Sequence, residues 1–237
     1  SLSIGVGQLA HVIRRNLDMV YILENNGVYG LTKGQFSASA DIGSKSKKGE
    51  ANEQEPIDPV LLALALGASF VARSFSGDKE QLVPLIKAGL SHSGFAIIDV
   101  LSPCVTFNDH EGSTKSYAYV REHSEAPVAV DYVAPQREIS VSYAPGEVLS
   151  VNMHDGSSVL LRKLNPDYDP TDRAHAAEYV QERAMRNEFV TGLIYVDQKR
   201  RDFHARHNTV DAALNSVPFD RLCPGAAKLP KILASFR

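Results

Sequence analysis

The sequence predicts an α/β protein: a doubly wound parallel sheet with flanking helices, followed by a small antiparallel β appendage and a C-terminal helix and tail. Three observations predict it. Helical and strand patterns alternate from Ser1 to about Pro103. Beyond Val105 the pattern changes to alternating apolar positions broken by Pro145-Gly146 and Asp155-Gly156, the signals of tight antiparallel turns. Between these, the apolar run MVYIL ends in ENNGVYGLTKGQ (Glu24 to Gln35), where two asparagines lead into three glycines, a threonine and a lysine.

The first helix is expected from about Ile4 to Arg15, on the apolar spacing of Leu2, Ile4, Leu9, Val12 and Ile13. MVYILE follows as a short strand buried on both faces. SADIGSKSKKGEANEQEP is too rich in Lys, Glu, Gly and Ser to pack, and reads as a mobile surface excursion of lid type. Asp58 caps and Pro59 opens a helix, LLALALG, that Gly67 closes. SFVARSF is a strand, Asp78 caps a helix to about Leu90, and FAIIDVL is a third strand leading into Ser102-Pro103-Cys104. The stretch EISVSYAPGEVLSVNMHDGSSVLLRKL makes the antiparallel meander. Asp169 is the expected cap and Pro170 the first residue of the last long helix, before the strand FVTGLIYVD and a tail without a clear period.

The totals bound the function. A chain of 237 residues that is 43% hydrophobic can bury one large core, and a net charge of −3 with 22% charged residues supplies no basic field for nucleic acid or anionic lipid. No apolar run approaches the ~20 residues that span a bilayer, so the expected location is the cytoplasm. Two cysteines, Cys104 and Cys223, make no disulfide framework. Cys223, in RLCPG, reads as structural; His204 and His207, in HARH, lack the acidic or thiol partners of a metal site. The start is abrupt, an amphipathic pattern with neither Met nor a capping loop, and reads as a chain cut inside a fold.

In an open α/β sheet, ligands sit beyond the carboxyl ends of the strands, where ENNGVYGLTKGQ lies. Asn25 and Asn26 offer neutral oxygens, the Val28 carbonyl offers another, and the glycines let backbone approach a phosphate. That inventory suits Mg2+ with a diphosphate, because magnesium shares its six oxygens among protein, phosphate and water. The same residues are compatible with a plain turn, since Asn-Gly is a common turn former.

Asn26 followed by Val28-Tyr29-Gly30-Leu31-Thr32-Lys33-Gly34-Gln35 resembles the thiamine diphosphate segment of 2-oxoacid:ferredoxin oxidoreductase β subunits, the 2-oxoglutarate type above all. RRNLD before it, LALALGASFVARSFSGD, and FAIIDVLSPCVTFN (95 to 108) resemble the same family in the same order, as do APGE, MHDGS, DPTDR and VTGLIYV beyond. The resemblance implies a thiamine diphosphate-binding domain over residues 1–110, truncated at its start, and a region over 111–237 that packs on it and on a partner subunit. It implies that a Gly-Asp-Gly carboxylate and a C-x-x-C lie before Ser1, and that Glu24 stands where relatives carry Asp.

Residue by residue, the resemblance makes Asn26 (side-chain oxygen) and Val28 (carbonyl) the Mg2+ ligands. Gly30 allows close approach and Thr32 bonds the diphosphate. Leu31 faces the thiazolium and the substrate, and Lys33 pairs with a second substrate carboxylate, which favours 2-oxoglutarate over pyruvate. Cys104 is the distant ligand of a 4Fe-4S cluster. The implied partners are an α subunit, ferredoxin, coenzyme A and the 2-oxoacid, with Lys45, Lys47 and Lys48 either steering coenzyme A phosphates or lying in a solvated loop. Two other readings stay open: a pyruvate, branched-chain or non-redox thiamine enzyme, and a non-catalytic module that binds partners.

Overall fold

The computed structural model describes residues 2–32, 34–43, 51–102, 139–152, 158–223 and 225–236. Helix α1 (Val6–Arg15) buries Leu9 and Ile13 on one face and ends at Asn16 in the left-handed region (φ 56°), whose N–H returns to the Ile13 carbonyl. Asn16 is itself buried. Its Oδ1 accepts from the Phe95 N–H (3.1 Å) and the Ser69 hydroxyl (2.7 Å), so the end of α1 is stapled to the starts of two strands.

Strand β1 (Met19–Asn25) leads into the short strands β2 (Val28–Tyr29) and β3 (Gln35–Phe36). Helix α2 (Pro59–Leu66) starts as expected, with Asp58 accepting from the Val60 and Leu61 amides, and stops at Gly67 (φ 80°). Strand β4 (Phe70–Phe75), helix α3 (Lys79–Ser91, capped by Asp78) and strand β5 (Phe95–Leu101) follow, both strands buried at every residue. Then come β6 (Val148–Asn152), β7 (Ser158–Lys163), α4 (Arg173–Ala184) and β8 (Glu188–Val196).

Among the described residues, six strands form one sheet in the order β1-β5-β4-β8-β7-β6. β1, β5 and β4 run parallel, and β8 joins β4 antiparallel; β7 lies parallel to β8, and β6 closes the far edge antiparallel. The antiparallel element thus extends the main sheet through β8. Two expectations change. β1 is an edge strand, with Met19 and Ile22 38% and 46% exposed, because only β5 pairs with it among the described residues. The segment at 139–143 is not a strand, although Ile139, Val141 and Tyr143 pack against Phe75, Leu101, Val151 and Leu161. Its Val141 N–H bonds the Gly77 carbonyl instead of a strand partner.

The cap of α4 is also corrected. Asp172, not Asp169, accepts from the first helical amides (Ala174 and His175), while Asp169 closes a local turn with Thr171. Pro170 keeps its carbonyl for the Val196 N–H, which ties this turn to the end of β8 and delays the helix.

One sheet face carries Val71, Phe95, Ile97 and Ile194 under α1, α2 and α4; the other carries Phe70, Ala96, Ile98 and Val100 under α3. Each fully buried large apolar side chain contributes roughly 1.5–3 kcal/mol. The described residues gather into two compact units, Ser1–Phe203 and His204–Arg237. Helix α5 (Phe203–His207) begins at the last residue of the first, and the second goes on with the short helices α6 (Phe219–Leu222) and α7 (Leu229–Ala234), with Leu214, Phe219 and Phe236 exposed. The expected boundary near residue 110 lies outside the described residues. Among those residues, no helix is long and apolar enough to cross a membrane.

Candidate functional site

At the carboxyl edge of the parallel strands, Asn25 pairs with Leu101, and its carbonyl accepts the Ser102 N–H at 2.9 Å. The chain then reverses. Asn26 Oδ1 accepts the Val28 N–H at 3.2 Å, closing a side-chain-mediated turn, and Gly27 sits at φ 69°, a conformation costly for other residues. The Gly27 carbonyl accepts the Ser37 N–H (2.9 Å), so this turn is tied to the chain returning from the hairpin.

Strands β2 and β3 pair Val28 with Phe36 and Tyr29 with Gln35. The turn between them closes through the Gly34 N–H and the Tyr29 carbonyl (3.1 Å), with Gly34 at φ 99°. The two glycines whose backbone requires the residue type are therefore Gly27 and Gly34. Gly30, Leu31 and Thr32 form the exposed tip; Leu31 is 99% exposed, and the Thr32 hydroxyl lies 3.1 Å from Gln35 Oε1.

One hairpin thus brings together Asn26, Val28, Gly30, Leu31 and Thr32. Lys33, Cys104 and the lysines at 45 to 48 lie outside the described residues. The flanks of the expected lid are fastened: buried Asn52 donates to the carbonyls of Ala40, Asp41 and Gln54, and the Ile57 N–H bonds the Ala38 carbonyl.

As a cation site the hairpin supplies neutral oxygens only. Among the described residues, no group of three His, Cys, Asp or Glu side chains is placed to hold a metal. Asn26 and Val28 fit magnesium as a partial set that phosphate and water complete. His204 and His207 lie on the short helix α5, and Cys223, read from sequence as structural, is exposed at the end of α6.

Sequence reasoning missed a buried ionic group behind the hairpin. Arg73, in the middle of β4, is 2% exposed. Its Nε donates to Asp99 Oδ2 and its Nη2 to Asp58 Oδ1, both at 2.7 Å, and its guanidinium lies 5.5 Å from the Phe189 ring centroid. Asp58 and Asp99 carry −2 against the +1 of Arg73. Burial pushes the Asp99 carboxyl above the ordinary carboxylate range, with Arg73 pulling against it. A signal was available: a charged residue within each of two largely apolar strands, FVARSF and FAIIDVL, has to find a partner, and adjacent strands supply it.

A second polar group fastens the 139–147 segment. Lys163 Nζ meets Asp78 Oδ2 at 2.8 Å and sits 4.4 Å from the Tyr143 ring centroid, while the Tyr143 hydroxyl lies 2.7 Å from Thr191 Oγ1. Burial pushes the Tyr143 phenol up to about 12.

Residues 1–100 match the family model for the thiamine pyrophosphate enzyme C-terminal TPP binding domain, and residues 160–212 match that for the C-terminal part of the pyruvate ferredoxin oxidoreductase beta subunit. The chain is similar to 2-oxoacid:ferredoxin oxidoreductase subunit beta of Saccharolobus solfataricus, 46% identical over 49% of this chain and 38% of the relative. It is also similar to 2-oxoglutarate oxidoreductase subunit KorB of Mycobacterium tuberculosis, 39% identical over 46% of this chain and 30% of that one. The matched stretches therefore span less than two fifths of these relatives. In fold, the whole chain superposes on 64% of a chain from 2-oxoglutarate:ferredoxin oxidoreductase of Magnetococcus marinus, a structure with 2-oxoglutarate, coenzyme A and succinyl-CoA bound, with a TM-score of 0.64 at 24% identity.

Proposed function

We propose, for a chain that belongs to the family of 2-oxoacid:ferredoxin oxidoreductase β subunits, that it holds magnesium and thiamine diphosphate on the 25–36 hairpin. With an α subunit in the cytoplasm, it converts 2-oxoglutarate, coenzyme A and oxidised ferredoxin to succinyl-CoA, carbon dioxide and reduced ferredoxin, or runs the reverse. The observation that carries this reading is the hairpin itself. It lies at the carboxyl edge of parallel strands, within the stretch that matches the TPP-binding model, and presents Asn26, Val28 and Thr32 on one loop.

Thiamine diphosphate, when bound, supplies the nucleophilic carbon and electron sink that decarboxylation of a 2-oxoacid requires. This chain's residues bind and orient. Asn26 Oδ1, which accepts the Val28 N–H at the long end of the hydrogen-bond range, would exchange that bond for the cation, with the Val28 carbonyl as the second protein ligand. The Val28 N–H and the Thr32 hydroxyl would then be available to phosphate oxygens. Gly30 keeps the tip open to the diphosphate, and Leu31, apolar and exposed in the isolated chain, excludes water from the reacting face.

Lys33 would pair with the distal carboxylate of 2-oxoglutarate, and Cys104 would be a ligand of a 4Fe-4S cluster, which supplies one-electron transfer when bound. The match of residues 160–212 to a pyruvate enzyme keeps pyruvate as the second reading. Lys33→Ala in the purified assembly separates the two. The account expects kcat/KM for 2-oxoglutarate to fall about 10–100-fold, the worth of one charge-assisted bond, with pyruvate turnover unmoved; an unchanged preference removes the case for 2-oxoglutarate.

A further inference from the structure

The row of residues Leu23, Asp99 and Arg73 is in register across β1, β5 and β4. In a parallel sheet such residues share a face, and so does the next same-face row, Asn25, Leu101 and Phe75. Asn25 is therefore the diagonal neighbour of Asp99. Asp99 is wholly buried, and Asn25 stands one same-face row away from it on the neighbouring strand. The Asn25 amide is held from the returning chain, since its Oδ1 accepts the Ser39 hydroxyl at 2.7 Å and Ser39 in turn lies 2.9 Å from Ser37 Oγ. Ion pairs thus run from the cap of α2 through Arg73 to Asp99, and beside their end the hydrogen bonds of Asn25, Ser39 and Ser37 reach the chain that leaves the hairpin.

We infer that Asn25 is a positioning residue for the Asn26–Val28 turn, held by Ser39 beside the buried Asp58–Arg73–Asp99 group. The inference rests on the proposed function only in naming what the turn binds. Asn25 touches neither cation nor diphosphate in this account. It fixes where β1 ends, and hence where the next residue presents its amide oxygen. Groups that orient ligands without touching the metal typically change affinity by about 10–100-fold when removed.

The test is calorimetric titration of the purified native assembly with Mg2+ and thiamine diphosphate, beside the thermal midpoint of the cofactor-free protein. Asn25→Ala and Ser39→Ala are expected to weaken cofactor binding about 10–100-fold with midpoints close to wild type. Ser69→Ala, buried at the opposite end of the same sheet, is expected to lower the midpoint and leave the affinity alone. Where Asn25→Ala does not fold, Ser39→Ala, which loses one half-buried hydroxyl, decides. Affinity within twofold of wild type in the Asn25 and Ser39 variants, or an equal loss in Ser69→Ala, overturns the inference alone. Failure of the wild-type assembly to bind overturns the functional reading, and the inference with it.

Discussion

Replacing Arg73 by Met keeps the volume and removes the charge. Two carboxylates would then face an apolar pocket, one of them, Asp99, with no access to water. Removing one partner of a buried pair typically costs about 3–5 kcal/mol. Asp58 softens the loss, because it is 23% exposed and its Oδ1 also accepts two helix amides. We therefore expect about 3 kcal/mol, carried mainly by Asp99. For a unit of this size that lowers the melting midpoint by about 6–12 °C.

The deficit should depend on pH, with a defined sign. Burial already raises the Asp99 carboxyl, and without Arg73 the main opposing influence is gone. A folded-state pKa above the unfolded one means the native protein holds a proton that the unfolded chain releases. Stability is then greatest below the unfolded value, near 4, and falls as pH rises toward the folded one. Thermal melts followed by circular dichroism should show Arg73→Met further from wild type at pH 8 than at pH 5. A shift under 2 °C, or one equal at both pH values, refutes the view of Arg73 as the counter-ion of a buried anion.

Other expectations follow from single contacts. Hydrogen bonding by Arg162 holds the Glu188 carboxyl below its ordinary range, so its contribution is present above the unfolded value and lost as pH falls through the folded one. Urea midpoints from pH 6 downward should therefore fall less steeply in Glu188→Gln than in wild type. Gly94→Ala places a Cβ 2.6 and 2.9 Å from the Asn16 amide and 3.0 Å from Ser69 Oγ, at a φ of 130°. A loss of about 1–3 kcal/mol in denaturant unfolding is expected from the backbone conformation alone.

The parts legible in the sequence are those set by local chemistry. Asp58 before Pro59 and Gly67 after LLALAL bound a helix whatever surrounds it, and those limits are the ones observed. The turn at Asn26 is equally local, because its side chain bonds an amide two residues away. What escaped depends on neighbours distant in the chain. MVYIL is apolar enough for the middle of a sheet, but β5 folds in between it and β4 and leaves it at the edge. Asp169 and Asp172 are both chemically competent caps; Pro170 decides between them by lending its carbonyl to Val196. Arg73 and Asp99 stand 26 residues apart, so their pairing needs strand order, which no periodicity carries.

The most direct test is a structure of the assembled, cofactor-loaded protein at a resolution that places oxygen ligands. The account predicts Asn26 Oδ1 and the Val28 carbonyl at about 2.0–2.1 Å from a magnesium ion that also binds the diphosphate, with the Asn26–Val28 bond broken. A fully loaded site in which Asn26 still closes its turn onto Val28 would contradict it.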